Sequence, residues 1–363
     1  MQFRYSTLVS GFVLYLYMDT SLIKRVQISH IIPETKDAKT FVLQPLDNWQ
    51  PIYKAGQFLT FIFITATGEK RRSYSISSAP VLNEPLTITV KKEVNGEFSR
   101  QLLAYYKEGD ILYTTGITGF FCLPENLGEV EQLFFLAAGS GIAPCFSLIK
   151  TLLATTNKHV VLIYSNRSES DAIFYIELQS LQKKYSDQVQ IHFLFSNQYN
   201  LLYSRLSNTL LQVLLEKYLK VEKQKALCYL CGPPLYMQMI IITLLTYGIS
   251  INNIKKESFD TLPHFYQPVP PDTSAHTVAI HINGQTYRLM VKYPQTILAA
   301  AKANNIQLPY SCETGRCGSC AATCISGKVW MAYNEVLTDN EIQKGIVLTC
   351  QGFLVEGDAE IQF

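Results

Sequence analysis

The chain has 363 residues, of which 48% are hydrophobic, and this length predicts two or three domains with substantial cores. Its formal net charge of +2 gives no sign of a nucleic-acid-binding surface. Nine cysteines would suit a secreted disulfide framework, but four of them share one motif near the C-terminus and the others are mostly scattered. We therefore expect a cytoplasmic globular protein.

Residues 1–19 are predicted to be an N-terminal extension. The apolar run at residues 8–17 is shorter than the roughly 20 residues that span a bilayer. It resembles the core of a signal peptide, yet no small-residue cleavage site precedes Lys24 and Arg25. We expect an upstream start-site extension or a flexible tail, with a weak membrane anchor as the alternative, and no membrane association of the rest of the chain.

The next two blocks of the sequence differ in their predicted secondary structure. From residue 20 to 128, short apolar segments are separated by turns, which predicts a small antiparallel β-barrel. From residue 129 to 261, apolar strands alternate with helical stretches, which predicts an α/β domain built on a parallel sheet. In this second block the strands are predicted at residues 133–137 and 160–164, and the helices at residues 144–153 and 172–183.

A proline-rich linker, residues 262–275, leads into a final block at residues 276–363. Prolines in the linker favour extended polyproline II, which predicts a semi-rigid spacer. In the final block, Asn283-Gly284 between two alternating apolar segments predicts a β-hairpin, and a helix is expected at residues 297–303. We expect this block to be an α+β domain.

The most specific motif of the chain is a set of four cysteines, namely Cys312, Cys317, Cys320 and Cys350. Four residues separate the first two, two residues separate the next two, and a long gap precedes the last. This is the plant-type ferredoxin spacing, in which four thiolates hold a [2Fe–2S] cluster. The alternative is a zinc site or a redox dithiol at Cys317 and Cys320, but zinc would more naturally show two matched cysteine pairs. We therefore expect one-electron transfer.

The predicted barrel carries a second motif at residues 71–78, which matches the R-x-Y-S pattern of the ferredoxin–NADP reductase superfamily. Residues 90–102 resemble the second phosphate-binding segment of that superfamily, where a glycine turn opens a helix whose amides can hold an anion. The resemblance implies that a guanidinium grips the flavin pyrophosphate, a tyrosine covers the isoalloxazine and a serine reaches its N5 edge. The flavin-binding residues implied are Arg72, Ser73, Tyr74, Ser75, Val90, Lys91, Gly96, Phe98 and Ser99.

A third motif follows the first strand of the predicted parallel sheet, where G-x-G-x-x-P has the nicotinamide-site form of the same superfamily. Glycines let the backbone approach a pyrophosphate, and a helix N-terminus favours its negative charge. Residues 231–233 resemble the family's C-G-P segment beside the nicotinamide, and residues 257–259 resemble its E-x-F closure beside the flavin. The residues implied are Gly139, Ser140, Gly141, Pro144, Cys231, Gly232 and Pro233 for binding, and Ser75, Cys231 and Phe259 for catalysis.

Two cofactor questions stay open in the sequence. Ser165 and Arg167 follow the second parallel strand, where they would bind a 2′-phosphate and favour NADPH over NADH. The alternative is that Arg167 is a solvated loop residue. FAD fits the resemblance better than FMN, although a related group with the same domain order uses FMN.

Taken in order, these motifs resemble a flavin–nicotinamide–ferredoxin oxidoreductase over residues 20–363, like the reductase subunits of phenylacetyl-CoA epoxidases and related oxygenases. The resemblance implies an antiparallel β-barrel flavin domain, an α/β nicotinamide domain and a β-grasp ferredoxin domain. Electrons would pass from NAD(P)H through FAD and the cluster to a separate terminal oxygenase. The alternatives are a reductase for another redox partner, such as a hybrid-cluster protein, and a non-enzymatic electron-transfer subunit with an idle nicotinamide site.

Such an electron path requires the cluster to approach the flavin. We expect residues 311–319 to dock near Tyr74 and Phe259, with the linker allowing the domain to swing toward its external acceptor.

Overall fold

The computed structural model describes residues 23–65, 68–260, 262, 264 and 266–363, together with two short paired strands near the N-terminus, β1 (Leu8–Val9) and β2 (Phe12–Val13). Most of the predicted N-terminal extension lies outside these described residues. Within the described part of the chain, no helix has the length and apolar character needed to cross a membrane.

The first domain, called here the barrel domain, is a six-stranded antiparallel sheet in the order β6-β5-β8-β3-β4-β7. A bridge between Ile76 and Ile88 brings the end of β6 beside β7, so the sheet curls toward closure as predicted. Its core is mainly apolar, with Phe41 and Phe61 among the side chains that are not exposed at all, and it also encloses the hydroxyl-bearing side chain of Thr114. The elements are β3 (Lys24–Thr35), β4 (Ala38–Pro45), β5 (Phe58–Thr65), β6 (Gly68–Ser75), β7 (Thr87–Lys91), α1 (Glu97–Tyr105) and β8 (Ile111–Thr118).

The second domain, the parallel-sheet domain, has five parallel strands in the order β11-β10-β9-β12-β13. In chain order, β10 and β11 are added on one side of β9, and β12 and β13 are added on the other side. The strand order therefore reverses at β9, and ligands bind at the carboxyl ends of the strands at such a point. The strands are β9 (Gln132–Ala138), β10 (His159–Asn166), β11 (Val189–Phe195), β12 (Ala226–Cys231) and β13 (Ile254–Glu257). The helices are α2 (Ile142–Thr155), α3 (Tyr175–Lys184), α4 (Leu201–Ser204), α5 (Asn208–Tyr218) and α6 (Pro234–Tyr247).

One predicted helix begins later than expected. The sequence predicts a helix from residue 172, whereas α3 starts at Tyr175. A short 3-10 turn occupies Glu169–Asp171, and Phe174 adopts a left-handed φ of 59°, which interrupts the helical path before α3. The apolar pattern through Ala172 and Ile173 arises because both side chains are buried in the core beside β10, not because they are helical.

The C-terminal domain is a mixed sheet in the order β15-β14-β20-β16-β18, with a separate pair formed by β17 and β19. The predicted hairpin turn is present at Asn283 and Gly284, whose φ values are 50° and 74°. The strands are β14 (His276–Ile282), β15 (Gln285–Val291), β16 (Ala321–Ser326), β17 (Val329–Met331), β18 (Ile346–Leu348), β19 (Gly352–Leu354) and β20 (Ala359–Gln362). The helices are α7 (Ile297–Ala303), as predicted, and α8 (Asp339–Gln343).

The described part of the linker forms no helix or strand and lies against the C-terminal domain. The His264 ring stacks on Tyr333 with ring centroids 3.6 Å apart, and its Nε2 lies 3.0 Å from the Thr314 carbonyl oxygen. The Leu262 carbonyl accepts a 2.7 Å hydrogen bond from Arg316. The first half of the linker is therefore anchored to the domain that follows it.

Candidate functional site

The three domains meet around a cavity of about 360 Å³, called here the central cavity. The barrel domain supplies β6 and the start of α1, the parallel-sheet domain supplies the turn after β9 and the end of β13, and the C-terminal domain supplies the cysteine loop. Residues predicted to bind the flavin, the nicotinamide and the cluster thus line one cavity. Those that do so are Arg72, Ser73, Tyr74, Ser75, Lys91, Gly96, Phe98, Ser99, Ser140, Phe259, Cys312 and Cys317.

The barrel side of the cavity is built for an anion beside an aromatic surface. The Arg72 guanidinium lies over the Phe98 ring at 5.1 Å from its centroid. Gly96 is the N-cap of α1, and a Cβ there would come within 2.5 Å of the Ser99 hydroxyl. Gly96 and Ser99 both line the central cavity, so the N-terminus of α1 faces it. Arg72 and this helix end can share a phosphate-bearing group.

Ser75 at the end of β6 joins the barrel to the parallel-sheet domain. Its Oγ donates a 3.1 Å hydrogen bond to Glu257 Oε2 at the end of β13. Glu257 is only 7% exposed, and burial raises the pKa of its carboxyl to about 8. The pair therefore places a protonatable carboxyl beside a hydroxyl at the cavity wall. The sequence motifs indicate Ser75 but give Glu257 no role of its own.

Phe259 follows β13 and is 45% exposed, so its ring is available to a planar group in the central cavity. Tyr74 faces the same cavity, and its ring packs on Phe61 at a centroid distance of 6.1 Å. Burial raises the pKa of the Tyr74 phenol, so its hydroxyl stays neutral. The two aromatic side chains provide the apolar surfaces that an isoalloxazine ring needs.

The glycine turn after β9 packs tightly against the end of β12. Gly139 has a left-handed φ of 55°, and a Cβ on Gly141 would lie 2.0 Å from the carbonyl oxygen of Cys231. Only glycine at position 141 lets the turn sit against the end of β12. Of this motif Ser140 and Ala143 line the cavity, while Gly139, Gly141 and Pro144 shape the turn and the first turn of α2.

The Cys231 side chain lies beneath this turn and does not line the central cavity. It is not exposed at all, and burial raises the pKa of its thiol well above the ordinary value. The thiol is therefore protonated and inert in this arrangement. Gly232 and Pro233 continue the same packed segment into α6, and a Cβ on Gly232 would come within 2.9 Å of the Tyr236 ring.

A second pocket, of about 370 Å³, lies at the carboxyl end of β10. Ser165 and Asn166 line it, and their buried side-chain polar atoms have no hydrogen-bond partner of normal geometry within the described residues. Arg167 is exposed and does not line this pocket, because β10 ends at Asn166 and the chain turns there. The cation at the pocket is Arg205, which the sequence motifs do not indicate because it lies 40 residues beyond Ser165 in the chain.

The four predicted ligand cysteines converge in the C-terminal domain. Cys312 and Cys317 face the central cavity, whereas Cys320 and Cys350 are buried behind them, 2% and 5% exposed. The pKa of the Cys312 thiol is lowered to about 5, above all by a hydrogen bond with Cys317. Hydrogen bonding with Cys320, together with burial, raises the pKa of the Cys350 thiol. The thiols thus lie in two adjacent pairs.

The loop that carries these cysteines needs its glycines. Gly315 and Gly318 both have φ of 76°, and a Cβ would come within 2.8 Å of the Tyr333 carbonyl oxygen and 2.7 Å of the Phe120 ring, respectively. The Ser319 amide donates to Cys317 Sγ at 3.5 Å, as amides do around cluster sulfurs. Across the described residues, no three His, Cys, Asp or Glu side chains surround a single-ion position. Two adjacent thiol pairs suit a binuclear cluster, with one pair for each iron.

Comparisons with known proteins agree with this geometry. Residues 280–355 match the family model of the 2Fe-2S iron-sulfur cluster binding domain, and residues 135–241 match that of the oxidoreductase NAD-binding domain. The chain is 32% identical over 348 residues to the 3-ketosteroid-9-alpha-monooxygenase ferredoxin reductase component of Rhodococcus rhodochrous, covering 93% of this chain and 95% of that protein. The chain belongs to the family of oxygenase ferredoxin-reductase components.

Another relative and two solved structures match all or part of this reductase. One component of the 1,2-phenylacetyl-CoA epoxidase of Escherichia coli K12 is 28% identical over 345 residues, covering 93% of the reductase and 96% of that component. The structure of phthalate dioxygenase reductase shares the fold with a TM-score of 0.58 at 22% identity, covering 94% of the reductase and 98% of that chain. A Neisseria gonorrhoeae ferredoxin NADP+ reductase with bound FAD and NADP matches 66% of the reductase and all (100%) of that chain, with a TM-score of 0.57 at 25% identity.

These findings confirm the family resemblance and the fold class. The reductase combines an antiparallel barrel domain, an α/β parallel-sheet domain of the NAD-binding type and a C-terminal domain of the 2Fe-2S type. It is an oxidoreductase of the electron-transfer kind. The zinc and dithiol alternatives for the cysteine motif are accordingly set aside.

Proposed function

We propose that the reductase passes electrons from NAD(P)H through FAD and a [2Fe–2S] cluster to a separate oxygenase. The observation that carries the proposal is the central cavity, where Tyr74 and Ser75, Ser140, and Cys312 line the same space from three domains. When bound, the flavin accepts a two-electron hydride and releases the electrons singly to a cluster that takes one at a time. The protein's task is to hold donor, flavin and cluster side by side and to exclude water between them.

The barrel domain would hold the flavin. Arg72 and the N-terminus of α1 at Gly96 would bind its pyrophosphate, assisted by Ser99, Phe98 and Lys91 along the same wall, whereas Val90, suggested by the sequence, is buried in the barrel core and does not line the cavity. Tyr74 would cover the isoalloxazine ring. Ser73 and Ser75 reach the ring edge, and the Ser75 hydrogen bond to Glu257 supplies a nearby proton carrier.

The parallel-sheet domain would present the nicotinamide. The turn Gly139–Gly141 and Pro144 in the first turn of α2 support its pyrophosphate, and the packed Cys231-Gly232-Pro233 segment forms the support below. Phe259, whose half-exposed ring lines the cavity, would lie beside the flavin near the nicotinamide site. Cys231 acts in this proposal through packing and shape, because its thiol is buried and protonated.

The pocket beside β10 favours NADPH over NADH. A 2′-phosphate would accept hydrogen bonds from the Ser165 hydroxyl and from the Nδ2 group of Asn166, and Arg205 supplies the charge. Arg167, which the sequence suggests for this role, is exposed outside the pocket and contributes at most long-range charge.

The cluster would be held by Cys312, Cys317, Cys320 and Cys350, with the first two toward the flavin. The electron acceptor is proposed to be an oxygenase, because named relatives serve a 3-ketosteroid monooxygenase, a phenylacetyl-CoA epoxidase and a glycine betaine monooxygenase. Their substrates differ, so membership of the family does not select one substrate for the partner oxygenase. We place this reductase in the cytoplasm, where its nicotinamide donor is found.

The proposal is tested with the reconstituted protein under anaerobic conditions. NADPH should bleach the flavin absorbance and produce the EPR signal of a reduced [2Fe–2S] cluster, and the reduced protein should then reduce cytochrome c. A cluster that dithionite reduces but NADPH and NADH leave oxidised would contradict the proposed electron path.

A further inference from the structure

Strand β6 presents two different faces, because successive side chains of a strand point to opposite sides. Arg72 and Tyr74 belong to one face, where Arg72 lies over Phe98 and Tyr74 packs on Phe61. Glu69, Arg71 and Ser73 belong to the other face. The R-x-Y motif thus alternates along the strand with a second row of side chains. Of this second row, the proposed electron path gives only Ser73 a role in flavin binding.

This second row contacts the C-terminal domain. Arg71 Nη1 donates to the Leu308 carbonyl oxygen at 3.2 Å, and its guanidinium lies 3.8 Å from the centroid of the Tyr310 ring. Ser73 Oγ donates to Ser311 Oγ at 2.8 Å, and Ser311 immediately precedes Cys312. All these contacts join residues more than 230 positions apart in the chain.

Arg71 is unusually enclosed for a charged side chain. Its side chain is 4% exposed, and Glu69 Oε1 accepts a 2.6 Å hydrogen bond from its Nε. A buried guanidinium is tolerated only when its charge and its donors are matched. The Glu69 carboxylate balances the charge of Arg71. The Leu308 carbonyl accepts a hydrogen bond from Nη1 of Arg71, and the Tyr310 ring packs against its guanidinium. If the C-terminal domain moved away, those last two partners would be lost together.

We propose that Glu69, Arg71 and Ser73 form a docking face for the cysteine loop, and that Arg71 is a positioning residue for electron transfer from flavin to cluster. This inference rests on the proposed electron path and adds the surface that holds its last step in place. The guanidinium fixes residues 308–310, and those residues fix Ser311 and Cys312 at the edge of the central cavity. One edge strand then aligns both ends of the transfer, the flavin through Arg72 and Tyr74 and the cluster loop through Arg71 and Ser73.

The docking face predicts how Arg71 variants behave. Arg71→Met keeps an apolar stem against Tyr310 but removes the hydrogen-bonding fork, and Arg71→Lys keeps the charge without the fork. In the holoprotein, NAD(P)H should reduce the flavin of both variants at a rate within about twofold of wild type. Cluster reduction should slow by about tenfold or more in Arg71→Met and by less in Arg71→Lys, since a hydrogen bond to a charged group is worth roughly 10- to 150-fold.

A structural readout accompanies the rates. Amide hydrogen exchange at residues 308–317 should accelerate in Arg71→Met and not in Arg288→Met, a matched change at an exposed arginine of the C-terminal domain. If Arg71→Met does not fold, Glu69→Gln/Arg71→Met removes both charges of the buried pair and serves in its place. Unchanged cluster reduction in a folded Arg71 variant, with or without faster exchange, overturns the inference. Wild-type protein whose cluster NAD(P)H never reduces would instead overturn the electron path itself.

Discussion

Ser75 and Glu257 are 182 residues apart in the chain, yet the Ser75 hydroxyl donates a 3.1 Å hydrogen bond to the Glu257 carboxyl at the wall of the central cavity. One lies at the end of a barrel strand and the other at the end of the last parallel strand. The bond ties the proposed flavin-binding domain to the proposed nicotinamide-binding domain at the place where the two ligands would meet.

Glu257 predicts a pH dependence of stability. Burial raises the pKa of its carboxyl from 4.5 to about 8, so the folded protein retains a proton that the unfolded chain releases above pH 4.5. Its contribution is complete below pH 4.5 and is lost as pH rises toward about 8. The free energy of unfolding should fall over this window by an amount on the order of a few kcal/mol. Urea titrations from pH 5 to 9 measure it.

The matched variants for this prediction are Glu257→Gln and Glu216→Gln, a change at an exposed glutamate on α5. Glu257→Gln should flatten the pH dependence, whereas Glu216→Gln should leave it as in wild type. Parallel curves for wild type and Glu257→Gln would show that another group causes the effect.

The cluster ligands predict a separation of two activities. Cys317→Ser should abolish the [2Fe–2S] absorbance and EPR signal and stop cytochrome c reduction, because one thiolate ligand is lost. NAD(P)H-dependent ferricyanide reduction should largely survive, since the flavin and nicotinamide walls lie in other domains. Cys324→Ser, at a partly buried cysteine outside the ligand set, is the control and should retain both activities. Loss of both activities in folded Cys317→Ser protein would refute the separation.

The second pocket predicts which arginine selects the coenzyme. Arg205→Ala should raise the KM for NADPH by roughly 10- to 150-fold and that for NADH far less, because a charge-assisted contact to phosphate is removed. Arg167→Ala, at the exposed neighbour, should affect both coenzymes slightly and equally. Steady-state kinetics with both coenzymes decide the matter, and the reverse ranking of the two arginines would restore the assignment made from sequence.

Because the first half of the linker is anchored to the C-terminal domain, we expect the place at which the linker is altered to affect flavin-to-cluster transfer more than its total length. Replacing residues 262–271 with a longer Gly/Ser segment removes the His264 ring that stacks on Tyr333 and loosens the chain whose Leu262 carbonyl accepts from Arg316, and it should slow flavin-to-cluster transfer. An insertion after Pro271 that lengthens the linker by the same number of residues keeps both contacts and should slow flavin-to-cluster transfer much less. In both proteins NAD(P)H should reduce the flavin at the wild-type rate. Equal slowing by the two changes would assign the effect to length alone.

Much of the fold can be predicted from local sequence. The alternation of apolar strands and helices from residue 129 to 261 predicts the parallel sheet, Asn283-Gly284 predicts the hairpin, and the helix at residues 297–303 has the observed bounds. The cysteine spacing predicts the cluster because its three nearest ligands lie on one loop. In each case the determining residues are close together in the chain.

The features that sequence did not show depend on distant residues. Arg71 resembles any strand arginine until Leu308 and Tyr310 are placed against it. Arg205 reaches the β10 pocket from a loop beyond β11, and Glu257 acquires its raised pKa only when the domains close around it. Arg167 illustrates the opposite error, since adjacency to Ser165 in sequence did not place its side chain in the same pocket.

The most direct test of the electron path is anaerobic stopped-flow mixing of the holoprotein with NADPH at several protein concentrations. The account predicts that flavin reduction is followed by cluster reduction at a rate independent of protein concentration, because Cys312 and Tyr74 line one cavity of the same molecule. A cluster-reduction rate that rises in proportion to protein concentration would mean that electrons pass between molecules, and would contradict it.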